Sequence, residues 1–474
     1  MTKTKEVKKK FYITTSIAYT NMPPHLGFAL ELVQADVLAR YHRILDKEVF
    51  FLTGTDEHGR KVAEAAGKIG KSPAKFSSGI ANQFKELTKA LNLSNNDFIR
   101  TTDRKRHWPV VKKVWLGLKK KGDIYKKRYK GLYCVGCEAF ITKKDLKKRN
   151  CTIHQKEPEK VEEENYFFRL SKYSKKIEKI IKKNEIRIIP ESRKNEMLSF
   201  VKQGLEDISF SRPRKDLKWG IPVPEDDSQT IYCWADALVN YLSGAPECWP
   251  ADVQCIGKDI QKFHCLIWPG MLLSLEFKLP KVVFVHGFIT VAGQKMSKSL
   301  GNIIDPLELV RKYGTDSVRY FLLREIPPAE DGDFTWQKFR RRYNSDLAFG
   351  LGNLVARVIT LGAKLKIQNS KAKITNQKLK SVIKNIQKQY KKALEEFRFN
   401  EVLVVIWGLI SFCDRYIEKE HPWEESNKQK GVISDLLLAI LEIAKLLEPF
   451  LPETSEKIIQ QIKTKKKEIL FPKL

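Results

Sequence analysis

Between residues 11 and 90 the chain switches regularly between two hydrophobic periods, and that alternation restricts the fold more than any other feature. "KKFYITTSIAY" is rich in β-branched and aromatic residues and reads as a strand that Pro23 and Pro24 terminate. Leu26 to Leu45 then repeats apolar residues at helical spacing. "EVFFLTGTDEHG" reads as a second buried strand, with a helix from about Lys61. Strand, helix, strand, helix predicts a parallel, doubly wound α/β sheet. The pattern breaks near Gly122, where a charged, Cys-bearing stretch runs to about Thr230. It returns with the strand end "VQCIGKDI", a helix over Gln261 to Ser274 and the strand "KVVFVHGFI". After Trp336 only helical patterns remain, with loops near "IQNSKAKIT", "EKEHPWEESN" and "EPFLPET" and no internal repeat. The expected organisation is therefore a sheet domain in two halves, 1–121 and 231–286, split by an insertion over 122–230. A linking region over 287–335 and an all-α helical bundle over 336–474 complete it. Open sheets of this kind bind ligands at the carboxyl ends of their strands.

A length of 474 residues exceeds one ordinary domain, and 42% hydrophobic residues exclude a disordered chain. No apolar run in the sequence reads as a membrane span. The basic N-terminus "MTKTKEVKKK" lacks the apolar core of a secretory signal. Eight cysteines are too few and too unevenly placed for a disulfide scaffold, which points to a reducing cytoplasm. The formal net charge of +31 attracts polyanions, nucleic acid among them. Lysine also crowds surface helices such as "KKIEKIIKKN", so charge alone does not name a partner.

Three constellations carry chemistry. His25 and Gly27 stand at the mouth of the first helix, where unpaired N–H groups and the positive dipole end suit a phosphate. "VAGQKMSKSLGN" follows a strand and a hairpin turn at Ala292-Gly293, and its Lys295 and Lys298 could hold a polyphosphate. Cys134, Cys137, Cys151 and His154 form C-x2-C…C-x2-H, four S/N ligands in the pattern of one structural zinc. Cys233, Cys248, Cys255, Cys265 and Cys413 lack such spacing and read as packed thiols.

HxGx after the first strand and KMSKS after the last resemble the signature pair of class I aminoacyl-tRNA synthetases, which carry a Rossmann-type sheet. Among these the chain is similar to the methionyl-tRNA synthetases. The stretches "FLTGTDEHG", "YCWADALVNYLS", "IGKDIQKFHCLIWPGML" and "VHGFITVAGQKMSKSLGN" carry the likeness, which runs from about Phe11 to at least Trp423. The resemblance implies that methionine and ATP, with Mg2+, give methionyl-adenylate and pyrophosphate. The methionyl group then passes to the 3′-terminal adenosine of tRNA(Met), initiator and elongator. It assigns His25 and Gly27 to the ATP phosphates and adenine, and Lys295 and Lys298 to the leaving pyrophosphate. Lys258 and Asp259 fall to ribose and adenine, and Asp56 to the substrate ammonium. Ile17, Tyr19, Trp234, Ala237, Tyr241, Phe263, His264 and Trp268 match the positions lining the methionine side chain. Asn353 and Arg357, four apart on one helix face, and Trp423 match the positions that read the CAU anticodon.

The chain departs from the pattern at one point: Phe28 stands where the family normally has a second histidine. Phenylalanine cannot donate to a phosphate oxygen, yet the remaining constellation is intact, so activity is expected. A synthetase for leucine, isoleucine, valine or cysteine is disfavoured by the short insertion and the aromatic pocket. A catalytically dead, tRNA-binding relative is disfavoured by KMSKS and Asp56. No hydrolytic editing domain and a monomer are expected.

Overall fold

The computed structural model describes residues 8–134, 139–141, 146–152, 155–296, 301–365, 373–424 and 428–474. The chain forms two compact units. One comprises Met1–Pro24, His42–Thr88 and Ser94–His286; the other comprises His25–Tyr41, Lys89–Leu93 and Gly287–Leu474.

The first unit is built on six parallel strands: β1 (Lys10–Tyr19), β2 (Glu48–Asp56), β3 (Asp97–Arg100), β4 (Arg187–Ile189), β5 (Val253–Gly257) and β6 (Val282–His286). Their order is β3-β2-β1-β5-β6-β4. Burial is nearly continuous along β1, β2 and β5 rather than alternating, as expected of strands covered on both faces. The strand order reverses between β1 and β5, so Tyr19 and Gly257 mark the carboxyl ends at the switch point where open sheets take ligands. The edge strand β4 comes from the stretch assigned by sequence to the insertion. It pairs with β6 in the register Val282↔Arg187 to Phe284↔Ile189. The amphipathic helix Ser174–Lys182, which buries Ile177, Ile180 and Ile181, leads into it. The remainder of the insertion is antiparallel. Ile124–Cys134 pairs with Glu159–Phe168 from Ile124↔Phe168 to Tyr133↔Glu159, setting Arg128 opposite Glu164 and Lys130 opposite Glu162.

In the second unit the hairpin Ile289–Val291 and Gln294–Lys295 pairs with Gly332–Phe334. Helices dominate thereafter, among them Gln377–Glu395, Phe399–Glu420, Gln429–Leu447 and Pro452–Thr464. Gln429–Leu447 is apolar around most of its circumference and sits inside the bundle, with Ile433, Leu436, Ile440 and Ile443 at most 0% exposed. Among the described residues one helix, Trp336–Lys364, is long and apolar enough to cross a membrane, contrary to the reading of the sequence. Its apolar window is 44% buried. Leu347, Leu351, Leu354, Val355, Val358 and Ile359 are fully enclosed, so its apolar face serves the protein core.

A buried arginine ties this unit together. Arg319 is 0% exposed, and its Nη1 lies 2.8 Å from Asp36 Oδ2, itself 0% exposed. It also donates to the carbonyls of Leu91 (3.0 Å), Pro449 (2.8 Å) and Phe450 (2.8 Å). Arg40 Nε donates to the same Asp36 oxygen at 2.8 Å.

Candidate functional site

In the first unit five of the aromatic residues picked from sequence meet in one cage. The short helix Cys233–Ala237 presents Trp234 and Ala237. A wide, π-helical turn over Phe263–Ile267, a form frequent at functional sites, presents Phe263 and His264. Trp234 and Phe263 stack with centroids 3.8 Å apart at 9°. His264 stands edge-on to Trp234 at 6.3 Å, and Tyr241 lies 6.1 Å from Trp268. Tyr241, His264 and Trp268 are buried, whereas Trp234 and Phe263 are half-buried. Two polar side chains of the cage satisfy each other, whereas the buried Trp268 Nε1 has no hydrogen-bond partner among the described residues. His264 Nδ1 lies 3.1 Å from the Ile260 carbonyl and must donate to it, so Nε2 accepts from the Tyr241 hydroxyl at 2.7 Å. An imidazole with both nitrogens engaged leaves mainly π surface for a ligand.

Ile17, Tyr19 and Asp56 sit at the carboxyl ends of β1 and β2, in the registers Ile17↔Gly54 and Tyr19↔Asp56. Asp56 is 6% exposed, and its carbonyl accepts from Thr20 N–H at 2.9 Å, which fixes this end of the strand. Lys258 and Asp259 begin the turn directly after β5. A Cβ at Gly257 would stand 2.8 Å from Asp259 Oδ1, so a larger residue there would displace that carboxylate.

Behind Asp56 lies a polar network that sequence reading missed. Asp236 is 0% exposed; its two oxygens meet His58 Nδ1 and His107 Nε2, each at 2.6 Å. His107 Nδ1 continues to Ser243 Oγ at 2.7 Å. Burial disfavours the Asp236 charge, but the two imidazoles outweigh it and hold the carboxyl below its ordinary range. Glu57 is clamped by Arg100 Nε (2.6 Å) and Nη2 (2.8 Å) and by Thr102 Oγ1 (2.7 Å). The two segments that bear Asp56 and Trp234 are thereby bolted to each other. The signal was present in sequence, since Glu57 and His58 follow Asp56, and Asp236 separates Trp234 from Ala237.

In the second unit His25 precedes the helix Leu26–Ile44 and caps it. Its Nδ1 accepts the Gly27 N–H at 3.1 Å, and its carbonyl accepts from Phe28 (3.1 Å) and Ala29 (3.2 Å). With Nδ1 an acceptor, the imidazole proton resides on Nε2. Gly27 makes room for this ring, since a Cβ would lie 3.0 Å from His25 Cε1. The hairpin carrying Lys295 turns at Ala292 (φ 50°) and Gly293 (φ 74°), as the sequence predicted. Asp333 Oδ1 accepts from Gly293 N–H and Thr290 Oγ1, each at 2.7 Å. Burial opposes the Asp333 charge, but these donors keep the carboxyl below its usual range. Lys298 lies outside the described residues.

Two zinc-ligand candidates, Cys137 and His154, also lie outside the described residues. The other two, Cys134 and Cys151, are buried in one small cluster with Ile141. Among the described residues no group of three or more metal-type side chains forms. Cys233, Cys255, Cys265 and Cys413 are buried thiols, and burial pushes Cys413 up to about 12. In the helical bundle Asn353 is exposed, and Arg357 Nη2 donates to Glu418 Oε1 at 2.6 Å. Trp423, 45% exposed, follows five residues after Glu418, with its ring 5.1 Å from that of His421.

The description "tRNA synthetases class I (M)" matches residues 11–149 and 137–359, and "Anticodon-binding domain of tRNA ligase" matches 376–473. The methionine–tRNA ligase of Caldanaerobacter subterraneus subsp. tengcongensis is 41% identical, across 96% of this chain and 74% of that protein. That of Brucella suis biovar 1 is 39% identical, across 95% of this chain and 91% of that protein. The solved structure of Mycobacterium tuberculosis methionyl-tRNA synthetase in complex with methionyl-adenylate superposes with a TM-score of 0.89. It is 37% identical, across 95% of this chain and 93% of that one.

Proposed function

The chain belongs to the class I methionyl-tRNA synthetases, and from that premise we propose that it joins methionine to tRNA(Met) in two steps. The carboxylate of methionine attacks the α-phosphorus of ATP, giving methionyl-adenylate and pyrophosphate. The 3′-terminal adenosine of the tRNA then displaces AMP.

The observation that carries the choice of amino acid is the aromatic cage. A thioether offers almost no hydrogen bonding. It is recognised by shape and by sulfur–aromatic contacts of about 0.3–1.5 kcal/mol each. A cage whose Tyr241 and His264 satisfy each other offers that surface and leaves fewer polar groups for a competing side chain. Asp56 pairs with the substrate ammonium, since a buried carboxylate calls for a cation. Adenylation builds charge on phosphate oxygens, so catalysis rests on positioning and donors. His25 supplies Nε2–H, Lys295 and Lys298 hold pyrophosphate, Lys258 and Asp259 hold the nucleoside, and Mg2+ accompanies ATP. Asn353, Arg357 and Trp423 read the anticodon, with Arg357 exchanging Glu418 for a base.

A structural zinc is held by Cys134, Cys137, Cys151 and His154. The burial of two of these thiols in a common cluster suits a closed site, which fixes the insertion without taking part in the reaction. Metal analysis of the purified protein is expected to give one zinc per chain, lost in Cys151→Ser. A monomer working in the cytoplasm completes the proposal. Methionine-dependent ATP–pyrophosphate exchange tests it, with leucine, isoleucine, valine and cysteine as controls. Exchange with methionine alone is expected; exchange with none of the five would leave a tRNA-binding relative without activity.

A further inference from the structure

Within the aromatic cage, Trp268 is 1% exposed, and its N–H meets no acceptor among the described residues. Tyr241 and His264 fix each other through a hydrogen bond, but no such bond orients this indole. It packs edge-on to Trp249 at 5.6 Å and lies 6.1 Å from Tyr241. Its place is therefore set by the backbone it stands on, the short helix Trp268–Ser274. A helix of 7 residues takes its position from its neighbours rather than from its own hydrogen bonds. Two contacts tie it to the insertion. At its centre, a Cβ on Gly270 would stand 2.7 Å from Leu170 Cδ1, so the helix and that side chain approach closely. At its end, Ser274 Oγ donates to Asp123 Oδ2 at 2.6 Å.

Ser274 is 4% exposed and Asp123 is 1% exposed. Asp123 stands where the chain enters the antiparallel pair, after the helix His107–Lys120 and next to the strand Ile124–Cys134. The same carboxylate holds the segment that follows the returning strand. Lys172 Nζ lies 2.6 Å from Oδ1, and the Tyr173 hydroxyl donates to Oδ2. The Asp123 carbonyl accepts the Arg169 N–H at 2.9 Å. One buried carboxylate thus joins both ends of the pair to the cage helix. A buried carboxylate keeps its donors, because losing one leaves its desolvation uncompensated, and that makes the link stiff. Neither Asp123 nor Ser274 belongs to the cage, so both act through Trp268. We infer that Asp123 and Ser274 are positioning residues for the amino acid, their hydrogen bond holding the Trp268 helix where its indole closes around the methionine side chain. The inference deepens the synthetase reading and rests on it.

The test measures methionine-dependent ATP–pyrophosphate exchange in wild type, Ser274→Ala, Asp123→Ala and Asp123→Asn, with the urea midpoint of each. Ser274→Ala leaves Lys172 and Tyr173 on the carboxylate and is expected to fold. It should raise KM for methionine about fivefold, the size of one hydrogen bond. KM for ATP and the saturated rate should stay within about twofold of wild type, the pattern of lost amino-acid binding. Asp123→Ala should raise KM for methionine at least as much. Asp123→Asn keeps an oxygen for Ser274 and should recover most of the loss. A merely structural role would lower the urea midpoints and leave KM for methionine unchanged, and that result would overturn the inference. So would KM for methionine and for ATP rising together, or a fall in rate at unchanged KM. Should Asp123→Ala not fold, Ser274→Ala decides alone. Wild type without exchange refutes the synthetase reading itself, and this inference with it.

Discussion

At the scale of single residues, His25 explains Gly27. The imidazole folds back to accept the Gly27 N–H, and the absent side chain is what allows it. Gly27→Ala places a methyl 3.0 Å from Cε1, so the ring must shift by a few tenths of an ångström and its Nε2–H is re-aimed. Steady-state exchange kinetics are expected to show a rate loss of about 100-fold, the lower end of what one misplaced transition-state donor costs. The affinity for methionine should barely move. Phe28 is half-buried on the first turn of the same helix. Wild type is expected to be active, with Phe28→His raising the exchange rate by about tenfold, the lower end of what one charge-assisted hydrogen bond supplies. Activity appearing only in Phe28→His would show that the natural residue disables the site. Sequence placed His25 at the helix mouth but could not foresee the cap, which depends on a rotamer. It could foresee even less the Asp236 network, whose members come from positions 58, 107, 236 and 243.

At the scale of elements, the long strands and helices were legible because each repeats its period over many residues. β1 and β2 are 10 and 9 residues long, and the bundle helices Gln377–Glu395 and Phe399–Glu420 are 19 and 22. β3 and β4 escaped because 4 and 3 residues are too short to establish any period. The antiparallel pair in the insertion was hidden by its lysines and glutamates, which face one another across the ladder instead of marking a loop. Arg319 shows what element packing adds beyond periodicity. It reads as one more cation on an amphipathic helix, yet it satisfies Asp36 and three carbonyls from two other segments. Arg319→Ala is expected to cost about 3–5 kcal/mol, because it strands a buried carboxylate and leaves carbonyls without donors. The urea midpoint measures this, and adding Asp36→Ala should recover part of the loss if the stranded charge is the cause. A midpoint unchanged in Arg319→Ala would show that the buried pair carries no stability.

For the whole molecule, stability against pH sums many carboxyls, and most shifted ones here, such as Asp226 and Asp333, are held below their ordinary range. Such groups favour the folded state as pH rises through the acid range. Asp316 works against them. It is 4% exposed, Oδ2 accepts the Thr454 N–H at 2.6 Å, and burial pushes it up to about 6 against the pull of Arg319. A carboxyl raised in the folded state binds a proton on folding between its unfolded value, about 4, and its folded one. Its contribution is therefore greatest below about pH 4, falls as pH rises, and levels off above about 6. A shift of about two units corresponds to about 3 kcal/mol. Asp316→Asn keeps an oxygen for Thr454 N–H and removes the titration. Its stability relative to wild type should rise by about that amount between pH 4 and 7, read from urea denaturation at each pH. A difference constant with pH would mean that Asp316 stays ionised in the fold, with Arg319 outweighing its burial.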